Sequence, residues 1–426
     1  MKEKILLLLH DKMLRKKLLF VLFGLVIFRL LAAIPIPGVD PLRLEGFFSN
    51  NQFFGLLNVF SGSGLATLSI VMLGVGPYIT ASIIMQLLTM MSPKLKALYH
   101  EEGEAGRMKF AQLSRRMSVV LAAIQAYGFL VLLQKQGVID PLATFDFVIN
   151  IFVITGGSVL LMWIGELITE YGIGNGTSLI IFAGIVARVP QVASQLIFKY
   201  VYPTLDPSVI PKLLGFLIVA ILVVVAVVAI TEAERPIPVT YAKRVRGMKV
   251  YGGISTYLPL RVNQAGVIPI IFALSILLFP QMILNFFASG VKNEQIISFA
   301  KSGLAFLENP WFHNSIYFIL VFIFTYFYTA VTFDPVTIST NLQKNGAFVP
   351  GVRPGGSTSE YIGKVVTRIT LVGALFLAVI AVMPFIMQGA SGDPTLAIGG
   401  TALLIAVSVV LDFVKKIEGQ VSMREY

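Results

Sequence analysis

Few residues in this chain are equipped for chemistry, and their spacing assembles no catalytic site. There is no cysteine, which removes thiolate nucleophiles, disulfides and cysteine-bound zinc. His10, His100 and His313 lie far apart in sequence and outside the apolar runs, so no shared metal is expected. No GxxxxGKS/T phosphate loop, HExxH zinc helix or GxSxG nucleophile turn occurs. Carboxylates gather at the ends of apolar runs: Glu166 and Glu170 after the fourth, Asp334 after the eighth, Asp412 at the tenth. Arg29 and Arg368 interrupt apolar segments, where a charge is either functional or a long side chain snorkelling to the interface. An acid at mid-membrane depth, the usual carrier of coupled protons, is missing. The expectation is therefore a chain without enzymatic activity, cofactor or metal.

What remains is aliphatic and basic. Ile79 and Ile83 are four apart, as are Ile181 and Ile185, and residues i and i+4 share one helix face. Each pair either faces lipid and packing neighbours or points at a common axis. These residues must be carried by membrane helices. Of 426 residues, 56% are hydrophobic and 13% charged, against about 25% charged in soluble domains. Apolar runs approach the ~20 residues that cross a bilayer. Spans are predicted at Leu18–Ile34, Met72–Met91, Met117–Leu133, Phe147–Ile168 and Asn175–Val189, then at Leu213–Ile230, Ala265–Leu284, Ile316–Val331, Val365–Phe385 and Leu396–Val414. The fifth is short and Gly-rich. Met1–Lys17 is basic and amphipathic and leads into the first run with no cleavage pattern.

The net charge of +11 follows topology rather than a nucleic-acid patch. Between spans, Lys and Arg alternate, 24 in one set of segments against 7 in the other. That positive-inside bias puts both termini in the cytoplasm. Gly55–Ser69 is apolar, Gly-rich and too short to cross; it reads as a re-entrant helix or an interfacial loop. The long segments Thr231–Gln264 and Phe333–Gly363, rich in Gly, Pro and basic residues, read as ordered cytoplasmic arms, because anchoring charge alone does not explain their length.

One run is specific. YAKRVRG from Tyr241, followed by STYLPLRVNQAGVIPIIFA (Ser255–Ala273), resembles the sixth loop and seventh span of the SecY family. IPIPGVD from Ile34, PYITASIIMQLL from Pro77, EGEAGR from Glu102, GIGNGTSLIIFAGIVA from Gly172, GAFVPGVRPG from Gly346 and GGTALLI from Gly399 follow in family order. The resemblance covers nearly the whole chain. It implies an all-α polytopic protein of ten transmembrane helices in two inverted pseudo-symmetric halves, 1–190 and 191–426, with a re-entrant plug helix at about 55–69 and docking loops at about 231–264 and 333–363.

By motif position the resemblance assigns an aliphatic pore ring to Ile79, Ile83, Ile181, Ile185, Ile271 and Ile405. It assigns the plug to Leu56, Leu57, Val59, Phe60, Gly62, Gly64 and Leu65. A lateral gate would hold Asn263, with Gln86 or Thr89 facing it; the plainer reading of Asn263 is a cap on the seventh helix. Lys243, Arg244, Arg246, Lys249 and Arg353 would dock the motor ATPase SecA and the ribosome, whose RNA offers phosphate. Met248–Lys249 departs from the paired arginines common in bacterial relatives, which lowers what this tip is expected to contribute. The tail after Val414 is short, so contacts made by longer tails are not expected. SecE, SecG, preprotein signal sequences and the bilayer are the other implied partners, at the cytoplasmic (inner) membrane.

The expected function is a protein-conducting channel that passes unfolded preproteins and releases hydrophobic segments sideways. A secondary transporter of a small solute shares ten spans and broken helices but needs a polar midplane site, which this sequence does not offer. A membrane-embedded hydrolase needs paired acids, histidines or a nucleophile near one interface, and these do not assemble.

Overall fold

A computed structural model describes residues 11–36, 68–100, 102–135, 137, 139–200, 210–241, 244–246, 249–251, 255–290, 294–391 and 400–422. In chain order these form α1 (Lys12–Ala32), α2 (Gly76–Met91), α3 (Pro93–His100), α4 (Gly103–Lys135), α5 (Thr144–Tyr171), α6 (Gly176–Tyr200) and α7 (Ile210–Glu232). Four strands follow, β1 (Glu234–Tyr241), β2 (Arg244–Arg246), β3 (Lys249–Tyr251) and β4 (Ser255–Arg261). Then come α8 (Ile268–Gly290), α9 (Glu294–Glu308), α10 (Pro310–Thr332), α11 (Pro335–Lys344), β5 (Ala347–Phe348), α12 (Gly356–Ser391) and α13 (Gly400–Ser422). Ten of these helices overlie the ten predicted spans; α3, α9 and α11 are shorter additions between them.

Local chemistry sets several boundaries. Asp11 caps α1 by accepting the amides of Met13 and Leu14 at 2.8 and 3.4 Å, and Asn309 accepts from Trp311 at the head of α10. Pro310 and Pro335 each follow a cap, where a missing N–H costs nothing. The second span was expected from Met72, but residues 70–75 are turns and the helix begins at Gly76 with Pro77 in its first turn. Several helices outrun their apolar runs: α4 begins at Gly103, and α6 continues past Pro190 to Tyr200.

Among the described residues, five stretches are by themselves long and apolar enough to cross a membrane: Gly103–Gln134, Thr144–Tyr171, Leu214–Glu232, Pro310–Lys344 and Gly356–Gly389. Of the other five, α2 has 16 residues, α1 and α13 carry several charges near one end, and α6 and α8 run unbroken through Pro190 and Pro280. A helix sheltered by neighbours needs less unbroken apolar length, because its freed backbone groups find partners in protein.

Helix packing repeats. In the first five spans α1 packs on α5 and α6, α2 on α4 and α5, α4 on α5, and α5 on α6. In the second five α7 packs on α12 and α13, α8 on α10 and α12, α10 on α12, and α12 on α13. Each pair has its counterpart five spans later. An odd number of crossings per set means the second set enters the membrane from the opposite side. The two sets meet along two seams, α6 with α13, and α8 with α2 and α4.

The arms carry a sheet of their own. β1 pairs antiparallel with β4 from Glu234↔Arg261 to Thr240↔Ser255, and with β5 at Thr240↔Phe348 and Tyr241↔Ala347. Pro236 and Pro238 fall where β1 has only one partner strand, the position a residue without an N–H tolerates. Ile237, Val239, Leu260, Ala347 and Val349 bury with Ile362, Val365 and Val366 of α12, a core separate from the bundle. Both arms are thus one ordered unit fixed to α12.

Candidate functional site

Four of the six ring isoleucines share one apolar cluster. Ile181 and Ile185 of α6 and Ile405 of α13 are buried in it and Ile79 of α2 packs against it, together with Val71, Val75, Ile180, Val409 and Val267. Residues from both five-helix sets therefore meet there. Ile83 and Ile271 are buried on α2 and α8, outside that cluster. All six lie on α2, α6, α8 and α13. The valines were not singled out from sequence, since nothing distinguishes them there from packing residues.

Glycines bring these helices close enough. A Cβ on Gly176 at the head of α6 would strike the Gly165 carbonyl oxygen of α5 and lie 2.8 Å from Ile168 Cβ. The Gly176 amide donates to Thr169 Oγ1 at 2.8 Å, whose hydroxyl donates to the Gly165 carbonyl at 2.8 Å. Asn175 completes the start of the helix, accepting from the Thr177 and Ser178 amides. The Gly-rich fifth span is thus the α5–α6 contact surface, small residues permitting close approach where lipid offers no hydrophobic drive. On α5, Gly157 faces the Ile70 carbonyl, and Ser158 Oγ donates to the Gly74 carbonyl at 2.9 Å. These contacts hold the turn that delivers Val71, Val75 and Ile79. Pro35 and Ser69 form an antiparallel bridge just before it, closing the ends of the intervening loop. The plug residues Leu56, Leu57, Val59, Phe60, Gly62, Gly64 and Leu65 lie in that loop, outside the described residues.

Between β4 and α8, beside Gly373 of α12, Asn263 is 6% exposed and its Oδ1 has no hydrogen-bond partner; Gln264 Oε1 is likewise buried and unpaired. The capping alternative is corrected here: α8 begins at Ile268, five residues on, too far for Asn263 to reach its first amides. Thr89 is buried on α2, but its hydroxyl donates to the Gln86 carbonyl at 2.6 Å within its own helix. An orphaned buried carbonyl costs about 1–3 kcal/mol. Asn263→Leu is therefore expected to leave the thermal midpoint of the detergent-solubilised protein unchanged or raised. A lowered midpoint means that Oδ1 has a stabilising partner.

A weak electrostatic contact runs between Asp334, ahead of α11, and Lys96 of α3. Asp334, capping α11, accepts from the Thr337 hydroxyl at 2.7 Å and the Val336 amide at 2.9 Å. The Thr337 hydrogen bond first, then the backbone amides and the Lys96 charge on α3, hold its carboxyl below the usual range. Within the first set, Arg115 Nε of α4 meets Glu166 Oε1 of α5 at 2.7 Å, a pair 51 residues apart that no local pattern announces.

Of the basic tip residues, Arg244, Arg246 and Lys249 fall on the β2–β3 ladder, with Arg246↔Lys249 directly opposed; Lys243 lies outside the described residues. Arg353 is exposed between β5 and α12, its carbonyl accepting from Thr358 Oγ1 at 2.8 Å. Arg29 and Arg368 are both exposed on their helices, the position that snorkelling requires. The geometry is an apolar cluster where two helix sets meet, a second seam of α8 against α2 and α4, and a three-stranded sheet packed on α12.

The comparisons agree with this architecture. The SecY family profile matches residues 69–414. Protein translocase subunit SecY of Mycobacterium leprae is 42% identical over 433 residues, covering 97% of this chain and 96% of the relative. A solved protein-conducting channel superposes with a TM-score of 0.62 at 19% identity, over 95% of this chain and 92% of the other. Sec61 in a canine ribosome–channel complex from the endoplasmic reticulum gives 0.59 at 18%, with coverage of 95% and 92%.

Proposed function

The chain belongs to the SecY family, and from that premise we propose how it works: as the protein-conducting pore through which unfolded preproteins cross the membrane and from which hydrophobic segments leave sideways. The observation that carries this reading is the convergence of Ile79, Ile181, Ile185 and Ile405 from both helix sets in one apolar cluster. Branched aliphatic walls fit many passing side chains without holding any, which a translocating pore requires. Ile83 and Ile271 complete the waist in this reading. The two halves, 1–190 and 191–426, move about the α6–α13 seam, and the repeated packing pattern supports that division. The α8 seam against α2 and α4 is the lateral exit, with unpaired Asn263 and Gln264 waiting on the polar face that a signal helix displaces. Residues 55–69 close the path at rest.

The chain performs no catalysis in this reading. Energy comes from SecA or the translating ribosome, docked on the β1–β4–β5 platform through Lys243, Arg244, Arg246, Lys249 and Arg353, with SecE and SecG beside the bundle. The basic positions of the β2–β3 ladder suit an anionic partner, whose binding weakens with salt. The 24-to-7 charge bias supports a cytoplasmic-membrane location with both termini inside.

Photocrosslinking groups placed at positions 79, 185, 271 and 405 are expected to capture a stalled secretory chain, whereas one at exposed position 319 on α10 is not. Equal capture at 319 removes the pore assignment.

A further inference from the structure

The helix α9 joins α8 to α10 at the face opposite the β sheet, packing on both. Neither the pore nor the gate uses it. Its surface divides into three sectors. Ala300 is buried and Ile297, Leu304 and Leu307 are half-buried toward the protein, where Gly303 lets Leu284 of α8 approach within 3.1 Å of a Cβ position. Phe299 and Phe306, seven apart on one stripe, are 75% and 58% exposed. Glu294, Ser298 and Lys301 are exposed on another side. At 3.6 residues per turn, the phenylalanine stripe stands roughly 140° around from Glu294 and Lys301.

The aromatic stripe continues surfaces already committed to lipid. Ile283 and Phe287, exposed near the end of α8, and Ile319 and Ile323, exposed on α10, lie on the two spans that α9 connects. Trp311, 86% exposed in the first turn of α10, and the Phe306–Phe312 ring contact sit at the junction. Exposed aromatics where spans end are the chemistry of the headgroup boundary.

We infer that α9 is an interfacial lipid-binding helix, lying in the membrane plane with Phe299 and Phe306 in the acyl boundary and Glu294 and Lys301 in water. Its partner is the bilayer surface of the leaflet away from the basic platform. The helix carries two Glu and one Lys, so it is held by apolar insertion and not by anionic headgroups. It thereby fixes the depth of α8 and α10, the first of which forms the seam with α2 and α4. The inference rests on the membrane embedding of α8 and α10 and is independent of the pore assignment.

The cysteine-free chain lets single spin labels report without background. Phe299→Cys, Phe306→Cys, Ser298→Cys and Lys301→Cys, labelled with a nitroxide in full-length protein, are reconstituted in phosphatidylcholine vesicles with and without phosphatidylglycerol. At 299 and 306 the ratio of collisions with oxygen to collisions with a water-soluble nickel chelate is expected to be several-fold higher than at 298 and 301, and unchanged by phosphatidylglycerol or salt. Equal ratios at all four positions place the helix in water and overturn the inference. Shielding of 299 and 306 from both reagents means that protein covers the stripe and overturns it equally. A ratio that falls with salt replaces apolar insertion with headgroup attraction and overturns the binding mode.

Discussion

Gly157→Ala is expected to destabilise the folded channel severely, while Gly156→Ala, one residue away, is expected to be neutral or slightly stabilising. The two glycines sit side by side in α5. A Cβ on Gly156 meets nothing within 4 Å, so alanine there gains helix propensity, about 1 kcal/mol, without a clash. A Cβ on Gly157 collides with the Ile70 carbonyl oxygen and lies 2.8 Å from its carbon and 3.3 Å from Val71 Cγ1. The first two are backbone atoms and cannot rotate away. They belong to the turn fixed by the Pro35–Ser69 bridge and by the Ser158 hydrogen bond to Gly74. Relief therefore requires moving that turn, and with it Val75 and Ile79, off α5. Overpacking of this kind costs typically 1–3 kcal/mol and more when backbone must shift, and lipid supplies no compensating hydrophobic drive. The measurement is the monodisperse fraction after detergent extraction, with the thermal midpoint. Indistinguishable behaviour of the two variants would show that residues 70–75 do not bear on α5.

That contrast also marks where sequence reasoning reached its limit. Ten spans were legible because burial in lipid writes itself as apolar length. The Gly156–Gly157 pair carries no periodic signal that separates a lipid-facing glycine from a contact glycine; the turn that decides it arrives from 86 residues upstream. The first arm illustrates the same limit. Thr231–Gln264 reads as an ordered arm rich in Gly, Pro and basic residues, and prolines are seldom found inside strands. The sheet accommodates them because β1 has only one neighbour at Pro236 and Pro238, a fact set by β5, more than a hundred residues away. The α9 helix was missed for another reason. Its aromatic stripe and its buried face together look apolar on most sides, and the hydropathy of α8 and α10 flanks it closely.

The ring isoleucines were visible as i, i+4 pairs, yet pairs of that kind are common on any membrane helix. The structure adds that four of them meet in one apolar cluster drawn from both helix sets, and this leads to the second large effect. Ile181→Asn together with Ile405→Asn is expected to make the resting channel leak ions, several-fold above the unsubstituted protein in vesicles under an imposed potential. Both side chains are almost fully buried in a cluster that also holds Ile185 and Val409. A primary amide buried there without partners costs about 2–7 kcal/mol. Admitting water is the cheaper solution, and a hydrated constriction no longer excludes ions. Two controls separate wetting from loosened packing. Ile405→Val shortens the side chain at a cost of about 0.5–1.5 kcal/mol while keeping the site apolar, and should not leak. Ile319→Asn sets the same amide on α10, where position 319 is 53% exposed, and should not leak either. If Ile319→Asn leaks as strongly as the double variant, the ion barrier does not lie at these isoleucines. If Ile405→Val leaks, packing and not dewetting keeps the path closed.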